Sequence, residues 1–186
     1  VRKPFSRIEV GKAMNRFWQI TFRITYQLAR CYWFVARPTS KGAYVAVWLD
    51  GRVLVIRNSY KRVFSLPAGG VNKGETFQAA AMRELREEVG IVVEEDRLVR
   101  FNEYVCLEEF KHDTTVIFEL HLHSEPAIAI DQREVVEAKF LSLEDAAALP
   151  LSETVRRYLA AVQAGERNTL SVSELHLNSI KNLTPR

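Results

Sequence analysis

Between residues 16 and 36 apolar side chains return every three or four positions, at Ile20, Ile24, Leu28, Tyr32 and Val35, with Phe17, Trp18, Phe22 and Trp33 beside them. That period predicts an amphipathic helix. Arg16, Arg23, Arg30 and Arg37 recur seven apart, and a helix drifts only about 20° per heptad, so they form one basic stripe. Pro38 ends the helix. From Ala43 the period drops to two: Ala43 to Leu49, then Asp50-Gly51, then Val53 to Arg57 is the pattern of a β-hairpin. A loop containing Pro67-Ala68-Gly69-Gly70 follows. Helical spacing returns from Phe77 to Val89, with Thr76 as N-cap and Gly90 as the C-terminal stop. Strands are predicted at Leu98 to Leu107, Thr115 to His123 and Ala138 to Leu141. Ser142-Leu143-Glu144-Asp145 opens a short helix before Pro150, and Ser152 to Val162 forms a last one. The final twenty or so residues show no period and are assigned no element.

The chain has 186 residues, 47% of them hydrophobic and 26% charged, which excludes collagen-like, low-complexity and wholly disordered classes and fits one main core. The net charge of +3 conceals an asymmetry. Residues 1–41 carry nine Lys or Arg against a single acid, Glu9, a net +8, which leaves −5 for residues 42–186. A basic leader on an acidic body points to an anionic surface or partner for the leader. Arg23, Arg30, Gln19 and Gln27 interrupt the apolar run, against both a signal peptide and a membrane span. Three readings of residues 16–37 stand open: peripheral association with anionic lipid, packing on the chain's own domain, or packing on a second copy in a homodimer. Cys31 and Cys106 lie 75 positions apart, which offers neither a disulfide framework nor a cysteine metal site and suits a reducing cytoplasm.

The chemistry concentrates in residues 69–91, GGVNKGETFQAAAMRELREEVGI. On a helix advancing 100° per residue, Glu84, Glu87 and Glu88 fall within an arc of about 100°, while Met82, Leu85 and Val89 point to another face. Like charges packed this way repel unless a cation lies between them, and hard oxygen donors suit Mg²⁺ or Mn²⁺ better than zinc. Arg83 lies four positions before Glu87, within reach of an ion pair that would orient it. Gly69, Gly70 and Gly74 would permit unusual backbone conformations and close approach to metal or phosphate. A solvated, salt-bridged helix face is the alternative for the glutamates alone.

Gly69, five residues, Glu75, seven residues, Arg83-Glu84-Leu85, then Glu87-Glu88 and Gly90-Ile91 resembles the Nudix hydrolases, whose box is G-x5-E-x7-R-E-U-x-E-E-x-G-U with U aliphatic. All nine positions match. The resemblance is strict over these 23 residues, looser over residues 43–162, and silent on residues 1–37. It implies an α/β fold, the α/β/α Nudix sandwich with a mixed sheet, here with an added N-terminal amphipathic helix. The expected division is an N-terminal extension at 1–41, a Nudix hydrolase domain at 42–165 and a C-terminal tail at 166–186. It further implies Glu87 and Glu88 as main metal ligands, Glu84 as a further ligand or base, Glu75 as a supporting carboxylate, Arg83 in alignment and the Ala68 carbonyl within reach of the metal. Glu134, in a loop before the last strand, is the expected additional carboxylate.

The implied activity is divalent-metal-dependent hydrolysis of a pyrophosphate linkage in a nucleoside diphosphate joined to another group: a nucleotide sugar, a dinucleotide or a nucleoside triphosphate. Two other readings stand beside it: a non-catalytic nucleotide sensor or scaffold, and an RNA 5′-end pyrophosphohydrolase using the basic leader. Beyond the box stand Val105, Cys106 and Leu107, neither the proline of ADP-ribose-hydrolysing relatives nor the tyrosine of diadenosine-polyphosphate ones. Pro67-Ala68-Gly69 leans towards the sugar-nucleotide branch. Tyr60, Lys61, Arg62 and Phe64 are candidates for holding a base or phosphate, Trp48 is expected in the core, and Glu119, His121 and His123 read as a polar outer strand face.

Overall fold

A computed structural model describes residues 7–165; the tail expected at 166–186 lies outside the described residues. Its first helix, α1 (Arg7–Ala36), begins nine residues earlier than the apolar period indicates. Strand β1 (Thr39–Leu49) starts directly after Pro38, so residues 39–41, grouped above with the extension, already belong to the sheet. Asp50 and Gly51, at φ 48° and 75°, turn the chain into β2 (Arg52–Asn58), pairing Leu49 with Arg52 and Trp48 with Val53.

The segment read as a loop at 67–70 contains a short strand, β3 (Ala68–Gly70), antiparallel to β1 with Ala43 opposite Gly69. Then come α2 (Phe77–Val89), β4 (Val99–Glu108), β5 (Lys111–Leu122), β6 (Val135–Ser142), α3 (Leu143–Ala147) and α4 (Glu153–Gln163). The sheet order is β4-β5-β1-β2-β6 with β3 also on β1; β1 and β5 run parallel and the other pairs antiparallel, a mixed sheet.

β1 is buried on both faces because helices cover both. Val45 and Val47 face Leu85 and Val89 of α2 in one core layer. Ala46 and Trp48 face Val155, Tyr158 and Leu159 of α4 in the other. Alternation along a strand sorts residues between the layers, and the result is the expected α/β/α sandwich. Trp48 Nε1 donates to the Tyr158 hydroxyl at 2.8 Å, and that hydroxyl donates to Glu119 at 2.6 Å. Glu119 therefore supports a core tyrosine, in keeping with a structural strand face.

The β4–β5 hairpin turns through Glu109 and Phe110, both at positive φ (52° and 69°). Neither residue favours that region, so the turn depends on its neighbours, and α1 supplies them. Tyr26 donates its hydroxyl to Glu109, and Phe34 packs edge-on against Phe110 with centroids 5.2 Å apart.

α1 lies across the molecule with the face opposite to the one its pattern indicates. Ile20, Ile24, Leu28, Tyr32 and Val35 face solvent, each more than half exposed. The inward side carries Asn15, Gln19, Phe22, Tyr26 and Trp33. It latches three loops. Gln19 donates to the Gln132 carbonyl at 2.8 Å and Arg133 to Asn15 at 3.3 Å; Arg23 donates to the Ser59 carbonyl at 2.9 Å; Tyr26 and Phe34 hold the 109–110 turn. The basic stripe is thus partly engaged within the chain: Arg23 by a carbonyl, and Arg30 by the rings of Tyr26 and Phe110, each 5.9 Å away.

Candidate active site

α2 is placed by its ends and its apolar side. Thr76 Oγ1 accepts the Ala79 N–H at 3.1 Å, and Gly90, left-handed at φ 75°, closes the helix with its N–H on the Arg86 carbonyl at 3.0 Å. Ala80, Ala81, Leu85 and Val89 are wholly buried on the sheet, which directs Glu84, Glu87 and Glu88 towards β3 and the cleft.

The three glutamates lie at different depths. Glu88 is buried: Oε2 accepts the Ala68 N–H at 2.8 Å and Oε1 accepts from Asn58 Nδ2 at 3.2 Å. Burial pushes its carboxyl up to about 8, against those two hydrogen bonds and with help from the charges of Glu84 and Glu134. Glu84 is also raised, by burial first, opposed by Arg83 and assisted by Glu87 and Glu134. Its carboxylate lies directly against Gly69, where a Cβ would overlap it. Glu87 is half exposed and 3.4 Å from Arg83.

Arg83 makes the expected ion pair with Glu87, at 3.4 Å, and grips Glu75 more closely. Nε and Nη2 reach the two Glu75 oxygens at 2.9 and 3.0 Å, Nη2 also donates to the Gly70 carbonyl at 2.9 Å, and Nη1 contacts Glu84. The forked bond favours ionised Glu75, lowering its carboxyl to about 2, with the Asn72 N–H contributing. Arg83 therefore ties the segment before α2 to β3 and to Glu84.

The glycines divide. Gly69 is required for the approach of Glu84, and Gly74 for a left-handed turn at φ 81°. Gly70 has neither a positive φ nor a protein atom near the position of a Cβ, and its carbonyl accepts from Arg83. Glu134 does join the cleft: its N–H is bound by Asp131 at 3.0 Å, its carbonyl by Ser59 at 2.7 Å, and its carboxylate accepts the Tyr60 hydroxyl at 2.9 Å. That hydroxyl is held protonated by burial and by Glu134.

Sequence reasoning missed Asn58, the partner of Glu88, because an asparagine at a strand end signals nothing by itself. It included packing of α1 on the chain's own domain, which the structure shows, but missed that this packing brings α1 to the cleft. Phe22, Tyr26 and Trp33, spaced four and seven apart with Asn15 and Gln19 on the same arc, were the available signal. Among the described residues no three Asp, Glu, His or Cys side chains already stand together as metal ligands: Glu88 faces Ala68, while Glu84 and Glu87 face Arg83.

The family model described as the NUDIX domain matches residues 38–162. The chain is 29% identical over 119 residues to the NAD-capped RNA hydrolase NudC of Mycobacterium tuberculosis, over 63% of this chain and 32% of that one. It is also 29% identical over 120 residues to the ADP-ribose pyrophosphatase of Bacillus subtilis, over 61% of this chain and 63% of that one. It thus spans about a third of the first relative's length and less than two thirds of the second's. Among solved structures, the E. coli dihydroneopterin triphosphate pyrophosphohydrolase aligns with a TM-score of 0.54 at 27% identity, covering 65% of this chain and 94% of that one. The C. elegans Ap4A hydrolase aligns at 0.58 and 20% identity, over 68% and 96%, a likeness of fold. With the domain matched from Pro38 to Val162 and every box position inside that span, the chain belongs to the Nudix family.

Proposed function

We propose that the protein is a divalent-metal-dependent pyrophosphohydrolase acting on a nucleoside diphosphate linked to another group. The observation that carries this reading is the seating of two α2 carboxylates on β3, Glu84 against Gly69 and Glu88 on the Ala68 N–H, with Glu134 near enough for its charge to raise both carboxyls. The donors are all hard oxygens in an electron-rich, partly buried setting, which fits Mg²⁺ or Mn²⁺. Glu87 and Glu88, with Glu84 and the Ala68 carbonyl, are the groups that would hold it. When bound, the ion would neutralise phosphate oxygens and lower the pKa of the attacking water.

The chain's own residues do the rest. Glu134, accepting only the Tyr60 hydroxyl among described side chains, takes the water's proton; Glu84, gripped by Arg83, is assigned to the ion. Arg83 and Glu75 keep the segment between β3 and α2 in register. Water adds to phosphorus, the bridging P–O bond breaks, and two phosphate monoesters or a monoester and pyrophosphate leave.

Among the described residues no helix is long and apolar enough to cross a membrane, and the free, exposed Cys31 suits the reducing cytoplasm. Attachment to anionic lipid through residues 16–37, or pairing with a second copy, would use the outward row from Phe17 to Val35; engagement of Arg23 and Arg30 within the chain weakens the lipid reading.

The test is a product-resolved screen of nucleotide sugars, dinucleotides, nucleoside triphosphates and 5′-triphosphorylated or NAD-capped RNA with Mg²⁺ and Mn²⁺. Turnover that requires metal and is abolished in Glu87→Gln is expected. Binding without turnover under every metal would replace this reading with a nucleotide sensor, and turnover confined to RNA would replace it with a 5′-end hydrolase.

A further inference from the structure

The residues that α1 brings to the cleft lie outside the span the family model covers, residues 38–162, yet they wall the cavity beside the box. This cavity, about 220 Å³, runs between α1 and β3 and is lined by Tyr26 and Trp33 of α1, by Tyr60, by Lys61 and Lys111, and by the backbone of Ala68 to Gly70. It is smaller than the roughly 300–1,000 Å³ that encloses a drug-sized ligand. One ring system with its adjoining phosphate fits; a whole dinucleotide extends beyond it.

We infer that α1 completes the substrate site, with Tyr26 and Tyr60 forming an aromatic platform for the nucleobase, and Lys61 and Lys111 facing its phosphates. The inference rests on the nucleotide reading above and adds to it a base-recognition element completed by Tyr26 and Trp33, which lie outside residues 38–162.

The geometry suits the role. The Tyr26 and Tyr60 rings stand 4.9 Å apart at 46°, and Trp33 meets Tyr26 edge-on at 6.3 Å. Both rings line the cavity, with Arg30 and Lys61 each 5.9 Å from the Tyr26 centroid and Phe22 6.2 Å from the Tyr60 ring, and a base lies on such a ring with little dependence on its identity. Both tyrosines are fixed at the hydroxyl, Tyr26 on Glu109 and Tyr60 on Glu134, so little rotamer freedom remains to be lost on binding.

Three ammonium groups, of Lys41, Lys61 and Lys111, outnumber the two carboxylates of Glu109 and Asp113 in the cavity wall. The Lys111 ammonium lies over the Trp33 ring at 4.2 Å, and Lys61 is 5.9 Å from the Tyr26 centroid and 3.6 Å from Glu109. An ammonium resting on a ring is held more weakly than one paired with phosphate, so Lys111 can turn to a ligand, while Lys61 exchanges its ion pair with Glu109 for one with phosphate. The same tyrosine that receives the base donates to Glu134, the proposed proton acceptor, so base binding and the reacting centre share one side chain. The latching of α1 to the loops at 59, 109–110 and 132–133 keeps this wall in place.

The experiment measures binding of AMP and of ribose 5-phosphate, by calorimetry on the full chain with metal chelated, so that no turnover enters. Wild type is expected to bind AMP at least tenfold more tightly than ribose 5-phosphate. Tyr26→Ala is expected to weaken AMP about tenfold, the usual loss for one stacking ring, while leaving ribose 5-phosphate unchanged. Tyr26→Phe, which keeps the ring and loses only the bond to Glu109, is expected to lose no more than about threefold for AMP, the cost of freeing the ring. Trp33→Leu is the second variant: it removes the ring that meets Tyr26 edge-on and on which Lys111 rests, so a loss for AMP larger than that for ribose 5-phosphate is expected, and it decides the matter if Tyr26→Ala proves misfolded by circular dichroism. Equal affinity of wild type for the two ligands, or AMP affinity untouched in the folded variants, overturns the inference. Failure of the turnover screen would leave these affinities as predicted, so the two readings fall separately.

Discussion

The two longest helices among the described residues are both amphipathic, and they use their faces in opposite ways. α2 buries Leu85 and Val89 completely against the sheet and presents its charges to the cleft. α1 holds its aliphatic row outward, with Leu28 66% and Val35 81% exposed, and packs through Phe22, Tyr26, Trp33 and polar side chains. The neighbour explains the difference. α2 meets the open apolar face of a sheet, where aliphatic packing is the favourable contact. α1 meets the rim of a cleft, which offers the Tyr60 and Phe110 rings, the carbonyls of Ser59 and Gln132 and the Glu109 carboxylate. Such a rim rewards aromatic bodies with polar tips. An apolar stripe identifies a helix; it does not say which side of that helix the protein will cover.

The sharpest break in the comparison is expected on the carboxylate side. Glu134→Gln should lower kcat by about 10²–10⁴, the usual range for a lost general base, with metal affinity retained, whereas Glu84→Gln should weaken metal binding in a titration. Retained kcat in Glu134→Gln would move the proton acceptor to Glu84. On the apolar side of α2, Leu85→Ala should cost about 2–5 kcal/mol in urea unfolding, as buried truncations do.

Gly69→Ala should displace the Glu84 carboxylate, the far end of a flexible side chain, at a cost of no more than about 1 kcal/mol, and the double variant with Glu84→Ala should lose less than the two single losses combined. The pH dependence of α2 comes from Glu88. Its carboxyl is raised from 4.5 to about 8 in the fold, so without metal its contribution to stability is fully present below about 4.5 and disappears as pH rises through about 8. The Tm of Glu88→Gln should therefore gain on wild type across that window in chelator, and the gain should shrink when Mg²⁺ is added. The smallest effect belongs to α1: Leu28→Ala should change stability by no more than about 0.5 kcal/mol, the usual surface value. A larger loss, with a fall in sedimenting mass, would show that a second copy covers the row.

Much of the fold was legible because it is locally encoded. Asp50-Gly51 names its hairpin, Thr76 and Gly90 bound α2, and the two-residue alternation of β1 marks a strand. Two elements were not. β3 consists of Ala68-Gly69-Gly70, which has no strand propensity and exists only because β1 lies beside it. The turn at Glu109-Phe110 contains no glycine or asparagine, so nothing in the local chain predicts a left-handed pair; contacts from α1 hold it. In the site, the identities and spacing of Glu75, Arg83, Glu84, Glu87 and Glu88 could be read directly. The pairing of Arg83 with Glu75, and the depth at which Glu88 lies, could not.

The residue order alone determines the carboxylate helix, its caps and the family, because spacing along one helix fixes which side chains share a face. The tertiary structure decides which charges are buried, which glycine the chemistry cannot replace, and that the N-terminal helix faces the cleft with its tyrosine and tryptophan. Those outcomes depend on surfaces built from residues far apart in the chain, and no local period carries that information.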